Sequence, residues 1–349
     1  MKTILLLGAG AMIPFGGPST KELTELITHD IFTYSALQIL KNRYGNGVNF
    51  ETLLSNLETL LEWKLSDEYY KDVITSSVFL NPISNLEMTS ARKLQEIHYN
   101  AINKIIERVS TYSELKRLDE NDCKIIRDLS DYLLGVADNS NTKVYSLNYD
   151  RLIPKLLKDK ISLYDGTNNS YFEYDIEKYV NHNFTYFNLH GSIYMEYIHG
   201  GRVHLSETPV DYTHRYSIPG GNYGEIKAFI PIIAGYSKTQ RILSEPFNFG
   251  IGVFMYDCNT CDKLFIIGYS FADLYINNVI KNLVTIKKVE IVIIDYREDY
   301  SFPSNIPYND AGIRPQDFKV FRSGIFFNSK QNVHLYVRGF QNYIIESIL

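Results

Sequence analysis

The chain predicts an α/β fold: a Rossmann-like, mostly parallel sheet with helices on both faces and a helical insertion after the first βα unit. Three observations carry this expectation. Thr3 to Leu7 is a continuous apolar run that ends in glycine, the pattern of a buried parallel strand feeding a turn. Similar short runs recur through the second half of the chain, several of them followed by helical periodicity. Between the two, residues 31–137 read as helix almost throughout.

Taken in order, the first strand leads through Gly16-Gly17-Pro18-Ser19-Thr20 to a helix whose start is marked by a capping box, Ser19 with Glu22 three residues on. In Asn49 to Lys64 the apolar residues Phe50, Leu53, Leu54, Leu57, Leu60 and Leu61 fall on one helical face. The same periodicity returns in Leu94 to Val109 and Ile125 to Val136, with polar or proline-containing joints such as Asn81-Pro82 between them. Residues 31–137 are therefore expected to form a helical module inserted into a nucleotide-binding domain made of 1–30 and 138–349. Strands are expected at Lys143 to Ser146, Phe184 to Leu189, Phe229 to Ile233, Leu264 to Ile267, Val289 to Ile294 and Val333 to Val337. Helices are expected at Asp273 to Leu283 and Gly339 to Leu349, and residues 191–228 as a long functional loop.

Composition narrows the function. Against 40 acidic residues stand 35 Lys and Arg, a formal net charge of −5, which argues against a protein built to grip a phosphate backbone. Three cysteines, Cys123, Cys258 and Cys261, are too few for a disulfide scaffold and point to a reducing, cytoplasmic setting. The apolar run near Met1 is too short for a secretory signal, and nothing approaches the ~20 apolar residues of a membrane helix. With 28 Tyr and 19 Phe against one Trp, the chain is rich in rings suited to cores, clefts and subunit contacts.

In open α/β sheets ligands bind beyond the carboxyl ends of the strands, so the residues that follow each strand carry most weight. Gly8-Ala9-Gly10 opens a turn, but Ile13 stands where a dehydrogenase fingerprint needs glycine, and the acidic residue near Asp30 lies in helical sequence. A standard dehydrogenase is disfavoured. A glycine turn beside a capped helix N-terminus remains, suited to an anion or to turn formation alone. Ser146-Leu147-Asn148-Tyr149-Asp150 offers an amide and a carboxylate, either of which also serves as a cap for the helix near Pro154. His190 before Gly191 suits acid, base or hydroxyl-orienting work, or is a loop histidine. In Gly268-Tyr269-Ser270-Phe271-Ala272-Asp273 the pair Ser270 and Asp273 has capping-box spacing, and Asp295, followed by Tyr296, closes a strand where ribose hydroxyls bind. Tyr149, Tyr269 and Tyr296 adjoin these positions.

In this order the motifs resemble the sirtuin superfamily, and most closely its sirtuin-like NAD-hydrolysing branch of prokaryotic antiviral defence. The resemblance runs from Gly8-Ala9-Gly10 and Gly16-x-Pro18-Ser19-Thr20 through Ser146 to Asp150, Leu189-His190-Gly191-Ser192, Pro231-Ile232-Ile233 with Ser237-Lys238-Thr239, and Gly268 to Asp273. Two departures bear on activity. Ser19-Thr20-Lys21 replaces the Asp-Phe-Arg of deacetylase sirtuins, and the single Cys258-x-x-Cys261 pair cannot fill a tetrahedral zinc site, so no metal is expected and protein deacetylation is disfavoured.

The resemblance implies an NAD+ glycohydrolase that releases nicotinamide and ADP-ribose, an abortive-infection effector in antiphage defence. It implies Asn148, His190 and Asp150 as catalytic residues, with Asn148 orienting water, His190 contacting ribose hydroxyls and taking up a proton, and Asp150 supporting the pocket. NAD+ would be held by Gly8, Ala9, Gly10, Gly16, Pro18, Ser19, Thr20, Gly268, Ser270, Asp273, Asp295 and Tyr296. A homo-oligomer is implied as well, beside a partner such as a HerA-type hexameric ATPase or an Argonaute-like protein, without direct nucleic-acid or membrane binding. The alternatives are a non-catalytic module that binds NAD or ADP-ribose, and a protein deacylase or ADP-ribosyltransferase of the same fold.

Overall fold

A computed structural model describes residues 1–29, 31–45, 47–65, 91–114, 120–197, 203–210, 232, 246–286 and 289–348. Strand β1 (Lys2–Leu7) stands next to the middle strand of a sheet that has nine strands among the described residues. It pairs in parallel with β2 (Asn141–Ser146) on one side and with the strand Lys263–Ile267 on the other. Its residues Ile4, Leu5 and Leu6 are wholly buried, as a strand covered on both faces requires.

Beyond β2 the chain forms the short β3 (Leu163–Tyr164), β4 (Thr167–Asn168) and β5 (Tyr171–Phe172), then β6 (Phe184–Asn188), β7 (Met195–Tyr197) and β8 (Val203–Leu205). Lys263–Ile267 is β9, followed by β10 (Glu290–Ile294), β11 (Lys319–Arg322), β12 (Ile325–Asn328) and β13 (Val333–Tyr336). The sheet order is β11-β12-β13-β10-β9-β1-β2-β6-β3. Apart from the two-residue edge strand β3, which is also parallel, its parallel part, β6-β2-β1-β9-β10-β13, has the 3-2-1-4-5-6 order of doubly wound sheets, so the chain reverses direction across the sheet at β1 and β9. A crevice opens at the carboxyl ends of those two strands.

The helices are α1 (Ala9–Met12), α2 (Thr20–Ile27), α3 (Ile31–Tyr44), α4 (Phe50–Leu65), α5 (Ala91–Ser113), α6 (Glu120–Asn139), α7 (Leu152–Leu157), α8 (Ile176–Asn181), α9 (Phe247–Thr260), α10 (Leu274–Ile286) and α11 (Phe340–Ile348). Alternate residues of each strand serve two cores. Leu5, Leu7, Val144, Phe265 and Ile267 join Leu40, Leu54, Ile105, Leu129 and Phe340 from α3, α4, α5, α6 and α11. Ile4, Leu6, Tyr145, Leu264 and Ile266 join Phe254 and Ile280 from α9 and α10 on the opposite face. The helices between β1 and β2 thus share one continuous apolar core with the sheet.

Three elements differ from expectation. Asp273, not Ser270, caps the helix that follows β9: its Oδ1 accepts the amides of Tyr275 and Ile276 at 3.0 and 3.2 Å, and Ser270 is exposed. Part of the expected 191–228 loop is sheet, since β7 and β8 pair with each other and with β5 and β4 in a small antiparallel sheet. An antiparallel hairpin, β11 with β12, extends the large sheet beyond β13. The expected strand Phe229 to Ile233 and the segment Ser237-Lys238-Thr239 lie outside the described residues, apart from Ile232, which bridges Gly191.

Many tyrosines are core residues with a satisfied hydroxyl. Tyr145 and Tyr179 both donate to the fully buried Asp257, which also pairs with Lys2 at 2.6 Å. Tyr186 and Tyr194 are wholly enclosed as well. Among the described residues no helix is long and apolar enough to cross a membrane.

Candidate functional site

The crevice at the ends of β1 and β9 is a cleft of about 500 Å³, within the range of small-ligand sites. Its walls include Gly8, Ala9, Gly10, Pro18, Ser19, Thr20, Asn148, His190, Gly268, Ser270 and Asp273, so loops expected to act together do converge. Tyr149 and Tyr269 line it too.

The two glycine loops touch through their backbones. A Cβ on Gly8 would stand 2.5 Å from the Gly268 carbonyl oxygen, and one on Gly268, where φ is +59°, would stand 2.1 Å from the Ala11 nitrogen. The Gly8 amide donates to Ile267 O at 2.8 Å and the Gly10 amide to Gly268 O at 3.0 Å. These glycines are fixed by the close approach of β1 to β9, and all three of their amides are already used, that of Gly268 by Ile294 O at 2.8 Å. Anion-binding capacity lies instead at the start of α2. There Ser19 Oγ accepts the Glu22 amide at 3.1 Å and Ser19 O the Leu23 amide at 3.0 Å, which leaves the first-turn amides of Thr20 and Lys21 facing the cleft. Gly16 stands outside the lining as the left-handed cap of a 3-10 turn. Its carbonyl and Glu22 are both held by Arg108 of α5, at 3.1 and 2.6 Å.

Asn148 follows β2 and is nine-tenths buried. Its Nδ2 donates to Gly8 O at 3.1 Å, which orients Oδ1 as the acceptor available to a ligand or water. Its loop is stitched to the one after β6: Asn188 Nδ2 donates to the carbonyls of Asn148 and Asp150, both at 2.9 Å, and Ser192 Oγ donates to Tyr149 O at 2.9 Å. His190 is thereby held beside Asn148. Its Nε2 stands 3.1 Å from Asp273 Oδ2, and both side chains are buried. The other oxygen of Asp273 is fixed by the α10 amides, so the carboxylate stands as a fixed negative charge beside the imidazole.

Besides Gly16, three expected site residues lie elsewhere. Asp150 sits beneath the cleft, wholly buried, its Oδ1 accepting the Leu152 amide at 2.9 Å and its carboxyl facing the Tyr112 hydroxyl. Burial pushes its carboxyl above the usual range, and burial with the Asp150 charge pushes the Tyr112 phenol up. Asp295 and Tyr296 follow β10, one strand farther from the reversal point, and do not line the cleft. Asp295 stands 3.6 Å from Arg297, its carboxyl raised by burial, and Tyr296 is largely exposed.

The structure adds residues that strand-end reasoning missed. Asn49, Phe50 and Glu51 at the start of α4, and Val109 and Tyr112 of α5, complete the wall. Asn49 Oδ1 caps α4 by accepting the amides of Glu51 and Thr52 at 3.0 and 3.3 Å, and the Phe50 amide donates to Thr24 Oγ1 of α2 at 3.0 Å. The sole signal for them in the sequence was an asparagine in cap position before an apolar-faced helix.

The chain matches no known family model and no curated protein.

Proposed function

We propose that the cleft binds NAD+ and hydrolyses the bond between nicotinamide and ribose. The observation that carries this reading is the pair His190 and Asp273 beside Asn148, enclosed at the point where a doubly wound sheet reverses its strand order. Cleavage develops positive charge at the ribose anomeric carbon and releases a neutral nicotinamide, so the demands are positioning, a bound water and stabilisation of charge. Asn148 Oδ1 accepts a hydrogen from the attacking water. His190, steadied by Asp273, contacts the ribose hydroxyls and takes up the proton released as the new C–O bond forms. The amides of Thr20 and Lys21 at the start of α2 hold the diphosphate.

The experiment is incubation of the purified chain with NAD+ and chromatography of the products. Nicotinamide and ADP-ribose are expected from the native chain, and neither from Asn148→Ala or His190→Ala, both of which stay folded. Full activity in both variants overturns the assignment, while bound but unconsumed NAD+ identifies a regulatory binding module. Within the same reading the enzyme is an oligomeric effector of antiphage defence that acts with a partner, such as a HerA-type ATPase or an Argonaute-like protein. Light scattering, alone and with each candidate, tests this.

A further inference from the structure

Of the carboxylates that line the cleft among the described residues, Asp273 lies beside His190 and caps α10, and Glu51 is presented by the helical segment between β1 and β2. Its backbone is fixed twice, by the Asn49 cap and by the bond from the neighbouring Phe50 amide to Thr24. The Tyr149 hydroxyl donates to Glu51 Oε1 at 3.5 Å, and the Glu51 charge also bears on the phenol of Tyr269. Those two phenols belong to the loops after β2 and β9, the strands that flank β1, so the carboxylate lies over the reversal point that Asn148 and His190 also face. Among the described residues the one cationic side chain of the lining is Lys21, 86% exposed and 3.8 Å from Glu25. Such a cleft offers helix amides to an anion and a positioned carboxylate to a cation.

We propose that Glu51 is the carboxylate that faces the nicotinamide riboside end of the dinucleotide, stabilises the positive charge of the transition state and makes the site prefer NAD+ over NADH. This rests on the NAD+ reading above. In the reaction the bond from C1′ to the nicotinamide nitrogen breaks with its electron pair going to the nitrogen, and the water oxygen bonds to C1′. The proton of that water passes by way of His190 to solvent. Glu51 exchanges no proton and acts by charge alone, in a site where the positive charge grows on the ribose as it leaves the pyridinium.

The test has two arms. In turnover, Glu51→Gln is expected to lower kcat by about 10²–10³-fold, the scale of removing one preorganised electrostatic group, and to raise KM by about tenfold as the ground-state attraction for the pyridinium is lost. In calorimetry on the native chain, a carbocyclic NAD+ analogue, which keeps the pyridinium charge but resists hydrolysis, is expected to bind about tenfold more tightly than NADH with Glu51 present, roughly the value of one partly shielded charge pair. That preference disappears with Gln and returns with Glu51→Asp, which keeps the charge, and a merely structural role would not move the ratio. Should Glu51→Gln fail to fold, Glu51→Asp decides through the same ratio: retention of the preference supports the assignment and its loss overturns it. A folded Glu51→Gln with native kcat and an unchanged ratio overturns the role of Glu51 alone, whereas a native chain that neither binds nor consumes NAD+ overturns the reading beneath it.

Discussion

Replacing single glycines separates backbone strain from the close approach of the two loops that build the cleft. Gly268→Ala carries both effects: φ is +59°, and the new Cβ would meet Ala11 N, Gly10 C and Gly10 Cα at 2.1, 2.3 and 2.5 Å. The left-handed backbone costs about 1–2 kcal/mol for alanine, and overlap with backbone that cannot rotate away adds about 1–3 kcal/mol. Parting the loops also weakens the bonds Gly8 N to Ile267 O and Gly10 N to Gly268 O, about 1 kcal/mol between them. The sum is about 4 kcal/mol, a large part of the stability of a typical domain. Gly8→Ala has no backbone penalty, with φ at −96°, but meets Gly268 O at 2.5 Å and should lose about 2 kcal/mol. Gly45 has φ at +84° and no neighbour within 4 Å, so its alanine variant should lose about 1 kcal/mol through strain alone. Gly252 inside α9 also has no neighbour within 4 Å, and alanine there should gain about 0.5–1 kcal/mol. Urea titration followed by circular dichroism reads all four. If Gly268→Ala and Gly8→Ala unfold at the native midpoint and lose only nucleotide binding, these glycines serve a ligand and the packing account is wrong.

Other consequences follow from single contacts. Asp273→Asn keeps an acceptor for the α10 amides but removes the charge beside His190, so stability should hold within about 1 kcal/mol while nicotinamide release falls at least tenfold. Differential scanning fluorimetry and initial rates check the pair. Ser19→Ala removes the cap of α2 and should cost about 1 kcal/mol together with weaker NAD+ binding, read by calorimetry. Burial holds the phenols of Tyr145, Tyr149, Tyr186 and Tyr269 protonated well above their usual range. Their stabilisation is complete below about pH 10, where unfolded tyrosine titrates, and is lost above it at about 1.4 kcal/mol per pH unit for each phenol. Lys143, lowered by burial to about 8, acts in the opposite sense: between about 8 and 10.5 the unfolded chain binds the extra proton and stability rises with pH. Chemical denaturation across pH 7–11 should therefore show a gain toward pH 10 and a steep fall beyond it, and a flat profile contradicts both assignments.

How far the structure was legible depends on whether a property is local. The run Thr3 to Leu7 reads as a strand because burial on both faces leaves no alternation to misinterpret, and the Ser19 and Glu22 box marks a helix start because its bond spans three residues. The antiparallel strands β4 and β5 have two residues each, too few to show a period. Asn148, His190 and Asp295 look equivalent in sequence, since each follows a buried strand. Strand order distinguishes them, because β2 and β6 lie on the same side of the reversal point while β10 is displaced beyond β9, and order is set by long-range pairing. For the same reason Glu51 carried no chemical signal. It stands on the polar side of a helix whose apolar face was plain, and only the packing of α4 against α2 and α5 brings it to the end of β1.

Asp150 separates chemistry from support most directly. A carboxylate two residues after Asn148 reads as support for the pocket beside the catalytic pair, and its oxygens face the Leu152 amide and the Tyr112 hydroxyl, where burial disfavours its charged form. Folded-state preference for the protonated carboxyl means that the charge at neutral pH is an expense to stability rather than a source of it. An amide of the same shape still accepts from Leu152, so Asp150→Asn should leave stability within about 1 kcal/mol of native or raise it. Its effect on turnover passes through Tyr112, which lines the cleft, and should stay below tenfold, with Tyr112→Phe producing a loss of the same size and the double variant no more than either. Loss of turnover in Asp150→Asn as complete as in Asn148→Ala, with Tyr112→Phe unaffected, would place the carboxylate in the reaction itself and refute its position as support.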